Sequence, residues 1–151
     1  MKYFLVLCFM VFCAAAQSDH ADGISNKVLN EYFKDELNYE AYFSKFKTAL
    51  LAGDKQLVAS LNLYPLRVNY PSGPVYYATK EQFIENYDKV ITAELLNRVK
   101  GQQFKNLFYN YQGLHIGFGD IWFGAICLDG EQCKKVEIYA WAYNVMSISK
   151  K

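Results

Sequence analysis

The fold class follows from residues 113–145, which read GLHIGFGDIWFGAICLDGEQCKKVEIYAWAYNV. Apolar and polar residues alternate over residues 113–119 and again over 135–145, which is typical of strands with one buried face. Residues 121–127 are apolar on both faces, as expected of a central strand. Asp129 and Gly130 form a dipeptide that predicts the turn of a hairpin. The last third of the chain is therefore predicted to form an antiparallel sheet.

The chain before this stretch has the spacing of helices. Apolar residues at three- and four-residue steps predict a helix over about 39–51, and Gly53 is placed to end it. Asp54 suits the start of the next helix, and Thr79 with Gln82 fits a capping box for a later one. This later helix is expected to carry Phe83, Tyr87, Val90 and Ile91 on one face. Two short strands are expected between these helices, over 66–70 and 75–78. Helices first and strands last indicate an α+β fold, with one domain over 25–151 after a flexible start at 17–24.

The first 16 residues have the order of a secretory signal peptide. Lys2 supplies the positive start, residues 3–13 form an apolar run of eleven, and residues 14–16 are three alanines. The run is too short to span a bilayer. We therefore expect a periplasmic or secreted protein that begins at Gln17 and has no membrane span after cleavage.

The predicted export bears on the redox state of the cysteines. Cys127 and Cys133 are the pair that remains after cleavage, and an oxidising compartment favours one disulfide that closes the hairpin. Half of a zinc site and a redox pair are the competing interpretations. Redox pairs usually have the spacing C-x-x-C. A zinc site with two histidines would need His20, in the flexible start, to be brought against the sheet beside His115, so we expect no metal site.

Composition excludes some classes of function. The chain has 16 lysines and arginines against 15 aspartates and glutamates, and removal of Lys2 makes the numbers equal. A nucleic-acid-binding protein needs a basic stripe, which this balance does not supply. The sequence contains no phosphate loop and no nucleophile motif, so it points to no cofactor.

Three stretches carry a resemblance to known proteins. Residues 46–68 (FKTALLAGDKQLVASLNLYPLRV), 83–88 (FIENYD) and 107–123 (LFYNYQGLHIGFGDIWF) resemble small exported bacterial proteins of unassigned function. Their order of elements is similar to the nuclear transport factor 2-like, or cystatin-like, roll. The resemblance implies N-terminal helices packed on a curved antiparallel sheet, with a cavity between them. That superfamily includes isomerases, dehydratases and binding modules, so the fold does not select a function.

Catalysis is one hypothesis for this cavity. Isomerases of the resembling fold use a carboxylate with a tyrosine or a protonated acid at the oxyanion. Asp120 with His115 is the candidate pair here, and Tyr87 is an alternative partner. The plainer interpretation is that Asp120 bonds its own turn and that His115 is a polar residue on a strand face. The catalytic hypothesis is a small lyase or isomerase.

Binding is the function that we favour from the sequence. The chain has 13 tyrosines, and tyrosine and tryptophan are enriched at protein interfaces. Strict alternation places Tyr139, Trp141 and Tyr143 on one strand face, and Tyr87 lies on a helix. The expected target is a protein or a small apolar ligand in the envelope, as for an inhibitor or an immunity-type module, and a homodimer is left open.

Overall fold

The computed structural model describes residues 23–130 and 133–145, so the predicted leader (1–16) and residues 17–22 lie outside the described part. The α-helices in this part are α1 (Asn26–Phe33), α2 (Tyr39–Ala52), α3 (Lys55–Ser60), α4 (Lys80–Glu85), α5 (Tyr87–Val90) and α6 (Ala93–Gly101). The strands are β1 (Asn62–Tyr70), β2 (Gly73–Tyr77), β3 (Phe108–Asn110), β4 (Gly113–Ile116), β5 (Ile121–Cys127) and β6 (Val136–Asn144), and a short 3-10 helix spans Phe104–Asn106. The fold is α+β, as predicted.

The predicted helix ends are confirmed at three positions. Gly53 ends α2 in a left-handed conformation with φ of 67°. Asp54 accepts a hydrogen bond from the Leu57 N–H at the start of α3, and Thr79 accepts one from the Gln82 N–H at the start of α4. These bonds satisfy N–H groups that have no partner inside a helix. The local chemistry of the sequence thus positions the helices that cover the sheet.

The six strands form one open sheet in the order β2-β1-β6-β5-β4-β3. Strands β3, β4, β5 and β6 are antiparallel neighbours, and β1 and β2 form an antiparallel hairpin. However, β1 and β6 run parallel, so the prediction of a purely antiparallel sheet is wrong and the sheet is mixed. The two strands lie at opposite ends of the sheet-forming sequence, and alternation within each strand carries no information about its neighbour.

Two element boundaries differ from the predictions. Strand β1 begins at Asn62 and runs through Pro65, whereas the sequence favoured a start at residue 66. The register between β1 and β6 is irregular after Asn62, and this irregularity accommodates the proline inside a strand. The helix expected to continue from Thr79 through Ile91 is interrupted at Asn86, which separates α4 from α5.

The core lies between the helices and one face of the sheet, which we call the inner face. Aromatic rings join the two layers: Tyr42 of α2 stacks on Phe123 of β5 at 5.4 Å, and Phe83 of α4 lies 5.9 Å from Tyr143 of β6. The predicted apolar stripe of α2 is buried. Burial of each such side chain stabilises the fold by about 1.5–3 kcal/mol.

A one-residue bulge in β6 decides which side chains face the core. Phe123 pairs with Ala140 and Trp122 pairs with Ala142, so Trp141 is the extra residue. Beyond the bulge the alternation is shifted, and Tyr143 is turned into the core with 1% of its surface exposed. The prediction that Tyr139, Trp141 and Tyr143 share one face is therefore wrong for Tyr143.

The segment between β4 and β5 also departs from the prediction. The sequence suggested a strand through residue 119, but β4 ends at Ile116 and a turn follows. Gly117 and Gly119 have φ of 64° and 91°, which is the left-handed region that side-chain-bearing residues avoid. The two glycines therefore place Phe118 at the tip of a turn.

The cysteine prediction is confirmed in its pairing. Cys127 at the end of β5 is bonded to Cys133, with 4.9 Å between the Cα atoms. The Asp129 carboxylate accepts hydrogen bonds from the Lys134 and Lys135 N–H groups across the same loop. The disulfide and the aspartate together close the β5–β6 connection.

Candidate functional site

One row of paired residues crosses all six strands on the face opposite the core, which we call the outer face. Its members, in strand order, are Tyr76, Arg67, Ala142, Trp122, His115 and Phe108. They alternate along their strands with core residues such as Leu114 and Phe123. Side chains that alternate in this way point to opposite faces of a sheet. The row therefore lies on the side of the sheet away from the core.

Aromatic rings fill one half of this row. Phe108 stacks on His115 with 4.7 Å between ring centroids, and His115 lies 4.8 Å from Trp122. Trp122 in turn lies 5.8 Å from Trp141, the bulge residue. We call these four residues the outer aromatic row. It spans four neighbouring strands.

Exposure and polarity vary along the outer face. Phe108 is 52% exposed, whereas His115, Trp122 and Trp141 are half-buried by one another. Charged side chains lie beside the rings on the β1 and β6 side: Arg67 is exposed on β1, and Glu137 lies on β6 beyond Tyr139. Exposed aromatic rings next to charged residues are a common composition of protein-binding surfaces.

Asp120 is fully buried. Its carboxylate pairs with a residue that the sequence did not identify as a partner. Arg98 of α6 donates to both carboxylate oxygens, from Nε to Oδ2 at 2.7 Å and from Nη2 to Oδ1 at 2.8 Å. The Phe118 N–H also donates to Oδ2 at 3.2 Å. This arrangement stabilises the turn and attaches it to α6.

His115 is held in one orientation by the same turn. Its Nδ1 accepts a hydrogen bond from the Gly119 N–H at 3.1 Å, so the neutral ring carries its proton on Nε2. Burial lowers the pKa of His115, and weaker effects from the Gly117 and Ile116 backbone and from Asp120 oppose the shift. The neutral imidazole is therefore favoured near pH 7.

The backbone of the β4–β5 turn is hydrogen-bonded by four side chains. Three successive N–H groups, of Gly117, Phe118 and Gly119, donate to Gln102, Asp120 and His115. The Gly119 carbonyl accepts a further bond from Asn144. Phe118 itself remains 84% exposed. The turn therefore presents a phenylalanine to solvent on a backbone with little freedom to move.

The predicted binding tyrosines occupy different environments. Tyr143 donates to Asn62 at 2.8 Å inside the core, and burial raises its pKa well above the ordinary value. Tyr87 is also in the core, where burial raises its pKa to about 12. Tyr139 lies on the outer face and donates to Glu137 at 2.7 Å. Of the four predicted binding residues, Trp141 and Tyr139 therefore lie on the outer face.

The interior contains two polar atoms without a recorded partner. They are Tyr87 Oη and Asn62 Nδ2, and within the described residues neither has a hydrogen bond. Asn62 nevertheless accepts from Tyr143, and the nearby Tyr42 hydroxyl donates to the Leu61 carbonyl. In this core the Tyr143 and Tyr42 hydroxyls therefore have partners, whereas the Tyr87 hydroxyl has none within the described residues.

Two hollows of modest size open on the surface of the described residues. The first, of about 220 Å³, is lined by Arg98, Gly101, Gln102, Gln103, Asn106, Gly117 and Phe118. The second, of about 260 Å³, is lined by Gly23, Ile24, Val28, Lys105 and Tyr109. Neither hollow is lined by any of the catalytic or binding residues predicted from the sequence. Asp120 and His115 therefore do not meet in a substrate-sized space among these two.

Two further properties concern the described part of the chain only. No cluster of three or more metal-ligating side chains lies within it. No helix in residues 23–130 or 133–145 is both long enough and apolar enough to cross a bilayer.

Sequence reasoning missed Phe108, Trp122 and Phe118 as surface residues. The flanking glycines of Phe118 were a usable signal, because Gly-X-Gly in a strand pattern can mark a turn. Trp122 lies in a run that is apolar on both faces, so its sequence did not show which face was exposed. Comparison with known proteins adds no further site: the chain matches no family model, no curated protein and no solved structure.

Proposed function

We propose that this is an exported binding protein, of an inhibitor or immunity type, that recognises a protein in the envelope through the outer aromatic row. The observation that supports the proposal is the aromatic row across four strands on the face away from the core. Tryptophan and other aromatic residues dominate the energetics of protein interfaces when a polar rim excludes water around them. The leader and the disulfide support export.

The packing within the row favours a protein target over a small ring-shaped ligand. The Phe108 and His115 rings are inclined by only 25° and stack on each other. The facing sides of these two rings therefore cover each other, so a small ligand cannot insert between them. A protein surface can pack against the exposed ring edges and the neighbouring charged residues together.

Binding is supported over catalysis by the state of the candidate acid and base. Both Asp120 oxygens accept hydrogen bonds from Arg98, and His115 Nδ1 accepts one from Gly119. A general base needs a free lone pair within reach of the substrate. The contacts of these residues are those of a turn that supports the surface.

We also propose that the fold is the nuclear transport factor 2-like roll that the sequence resembles. The support is the order of elements: helices first, a hairpin, further helices and then four consecutive antiparallel strands. The parallel contact between β1 and β6 brings the hairpin to the sheet. A structure of one of the resembling proteins with the same strand order would test this proposal.

The proposed function is tested with a pair of exposed aromatic residues on one hairpin. Phe108 belongs to the row, whereas Tyr111 lies at the β3–β4 turn and is 83% exposed. Immobilised wild-type protein is used to capture its partner from an envelope fraction, and the partner is then purified and titrated. Phe108→Ala and Trp122→Ala are expected to weaken the purified interaction at least ~10-fold, and Tyr111→Ala is expected to leave it unchanged. Equal affinity for all four proteins would exclude the row as the binding surface.

A further inference from the structure

An exposed phenylalanine at the β4–β5 turn lies beside the hollow of about 220 Å³. Phe118, at the tip of the turn, is 84% exposed and is also one of the residues that line the hollow. We call this cavity the Arg98 hollow. Phe118 forms part of its rim and does not fill it, since most of the ring surface is in contact with solvent.

The turn holds Phe118 in this outward position. Gly117 and Gly119 both have positive φ, and an added Cβ at Gly117 would overlap the Asp120 carboxylate. Side chains of Gln102, Asp120 and His115 accept the three N–H groups of the turn, at 3.1, 3.2 and 3.1 Å. An exposed apolar side chain on a fixed backbone loses little conformational entropy on binding. This is the property expected of an interface anchor.

The Arg98 hollow has the size and the chemistry to receive a phenyl ring. An enclosed cavity of about 150 Å³ in a protein core is sufficient for benzene. This hollow has about 220 Å³ and is open to solvent on one side, so a phenyl ring fits in it and is enclosed only when the partner covers that side. Arg98 contributes part of its side chain to the wall, and 28% of that side chain is exposed. A guanidinium binds aromatic faces well. Because Arg98 already donates two hydrogen bonds to Asp120, an aromatic occupant suits it better than a second anion.

We propose that a second copy of this chain docks here, with Phe118 of each copy inserted in the Arg98 hollow of the other. A two-fold interface requires that the same patch carry both complementary parts, because each contact between copies is made twice. An anchor on the rim of a hollow that fits it meets this requirement. The resulting homodimer uses the end of the sheet at the β4–β5 turn, away from the edge strands β2 and β3. Its contact residues, Phe118 and those that line the Arg98 hollow, are different from the residues of the outer aromatic row.

The chain offers variants that change either part alone. Phe118→Ala removes the anchor without touching the core. Gly101→Leu adds a bulky side chain to the wall of the hollow and is expected to narrow it. The backbone accepts this change, because a Cβ at Gly101 meets no atom within 4 Å and the residue does not have a positive φ. Gly101→Ala is the matched control, since one methyl group leaves most of the hollow open.

Sedimentation equilibrium from micromolar to millimolar concentration tests the proposal. Wild type and Gly101→Ala are expected to dimerise reversibly. Phe118→Ala and Gly101→Leu are each expected to raise the dimer dissociation constant at least ~100-fold, because each removes both reciprocal contacts. In a mixture of the two variants, Gly101→Leu supplies the anchor and Phe118→Ala supplies the open hollow. The mixture is therefore expected to form a heterodimer at concentrations at which each variant alone stays monomeric.

Several outcomes would overturn the proposal. They are a wild-type protein that stays monomeric at millimolar concentration, a dimer that tolerates both variants, and a mixture that shows no heterodimer. Phe108→Ala separates this test from that of the proposed function. It is expected to leave the dimer intact, so either proposal can fail while the other stands. Thermal unfolding of each variant verifies that the fold is retained.

Discussion

Arg98 and Asp120 form a two-pronged ion pair in which the carboxylate has no exposed surface. The residues are 22 positions apart in the sequence, and their pairing connects α6 to the turn that precedes β5. A buried carboxylate depends on its partner because no water compensates for the loss. The pair therefore stabilises both the packing of α6 and the position of Phe118.

Removal of the arginine tests this role. Arg98→Met is expected to lower the free energy of unfolding by about 3–5 kcal/mol, since it leaves Asp120 buried and unpaired. Urea unfolding followed by tryptophan fluorescence measures the change. Lys55→Met is the control, because Lys55 pairs with an Asp88 side chain that is 83% exposed, and such pairs contribute at most about 1 kcal/mol. Equal losses in the two variants would contradict the assigned role of Asp120.

His115 predicts a dependence of stability on pH. Burial lowers its pKa from the ordinary value of 6.5, so the folded state favours the neutral ring. The neutral ring makes its full contribution to the free energy of unfolding above pH 6.5. This contribution is lost as the pH falls through the lowered pKa. Wild type is thus expected to lose more stability than His115→Gln between about pH 7 and pH 5.

Two measurements check the histidine prediction. Urea unfolding of wild type and His115→Gln at a series of pH values shows how steeply the free energy of unfolding changes with pH in each protein. Proton NMR of the His115 ring gives its pKa directly. Parallel stability curves, or a measured pKa at or above 6.5, would show that burial does not control this ring.

Alanine substitutions at two glycines, Gly117 in the β4–β5 turn and Gly101 at the end of α6, test the rigidity of the turn. Gly117 has a φ of 64° and no space for a Cβ, whereas Gly101 lies beside open space. Gly117→Ala is expected to lower the free energy of unfolding by about 2 kcal/mol or more, because it combines backbone strain with a clash against Asp120. Gly101→Ala is expected to stay within about 1 kcal/mol of wild type. Denaturant titration measures both, and a tolerated alanine at 117 would mean that the turn is not fixed as described.

The disulfide supports a smaller prediction. Cys127 and Cys133 close a short loop, so replacing both with serine is expected to lower the free energy of unfolding by about 2 kcal/mol. Asp129 still accepts hydrogen bonds from the Lys134 and Lys135 N–H groups, so the hairpin is expected to form. Unfolding with and without reductant measures the difference. No effect of reductant on the wild type would remove the disulfide from the account of stability.

The features that the sequence predicted correctly are local. Gly53, Asp54 and Thr79 cap helices through contacts within a few residues, and the apolar stripe of α2 reports burial by its spacing. The hairpin disulfide is also local, since it joins two cysteines six positions apart. Such signals depend on the residues themselves and their neighbours in the chain.

The features that the sequence did not predict depend on distant partners. Tyr143 faces the core because of a bulge at Trp141, and a bulge is defined by the opposite strand. Asp120 finds its partner on α6, so its sequence context suggested only a turn or an acid. The outer aromatic row depends on the register of four strands, which no single strand specifies. The candidate surface thus required the structure, whereas the helix ends at Gly53, Asp54 and Thr79 did not.

Site-specific photo-crosslinking in the producing cell tests the central claim most directly. A photoreactive phenylalanine analogue replaces Phe108 in the outer aromatic row or, as the control, Tyr111 at the turn of the same hairpin. The account predicts a discrete adduct with an envelope protein at position 108 and none at position 111. No adduct at 108, or the same adducts at both positions, would contradict recognition through the outer face.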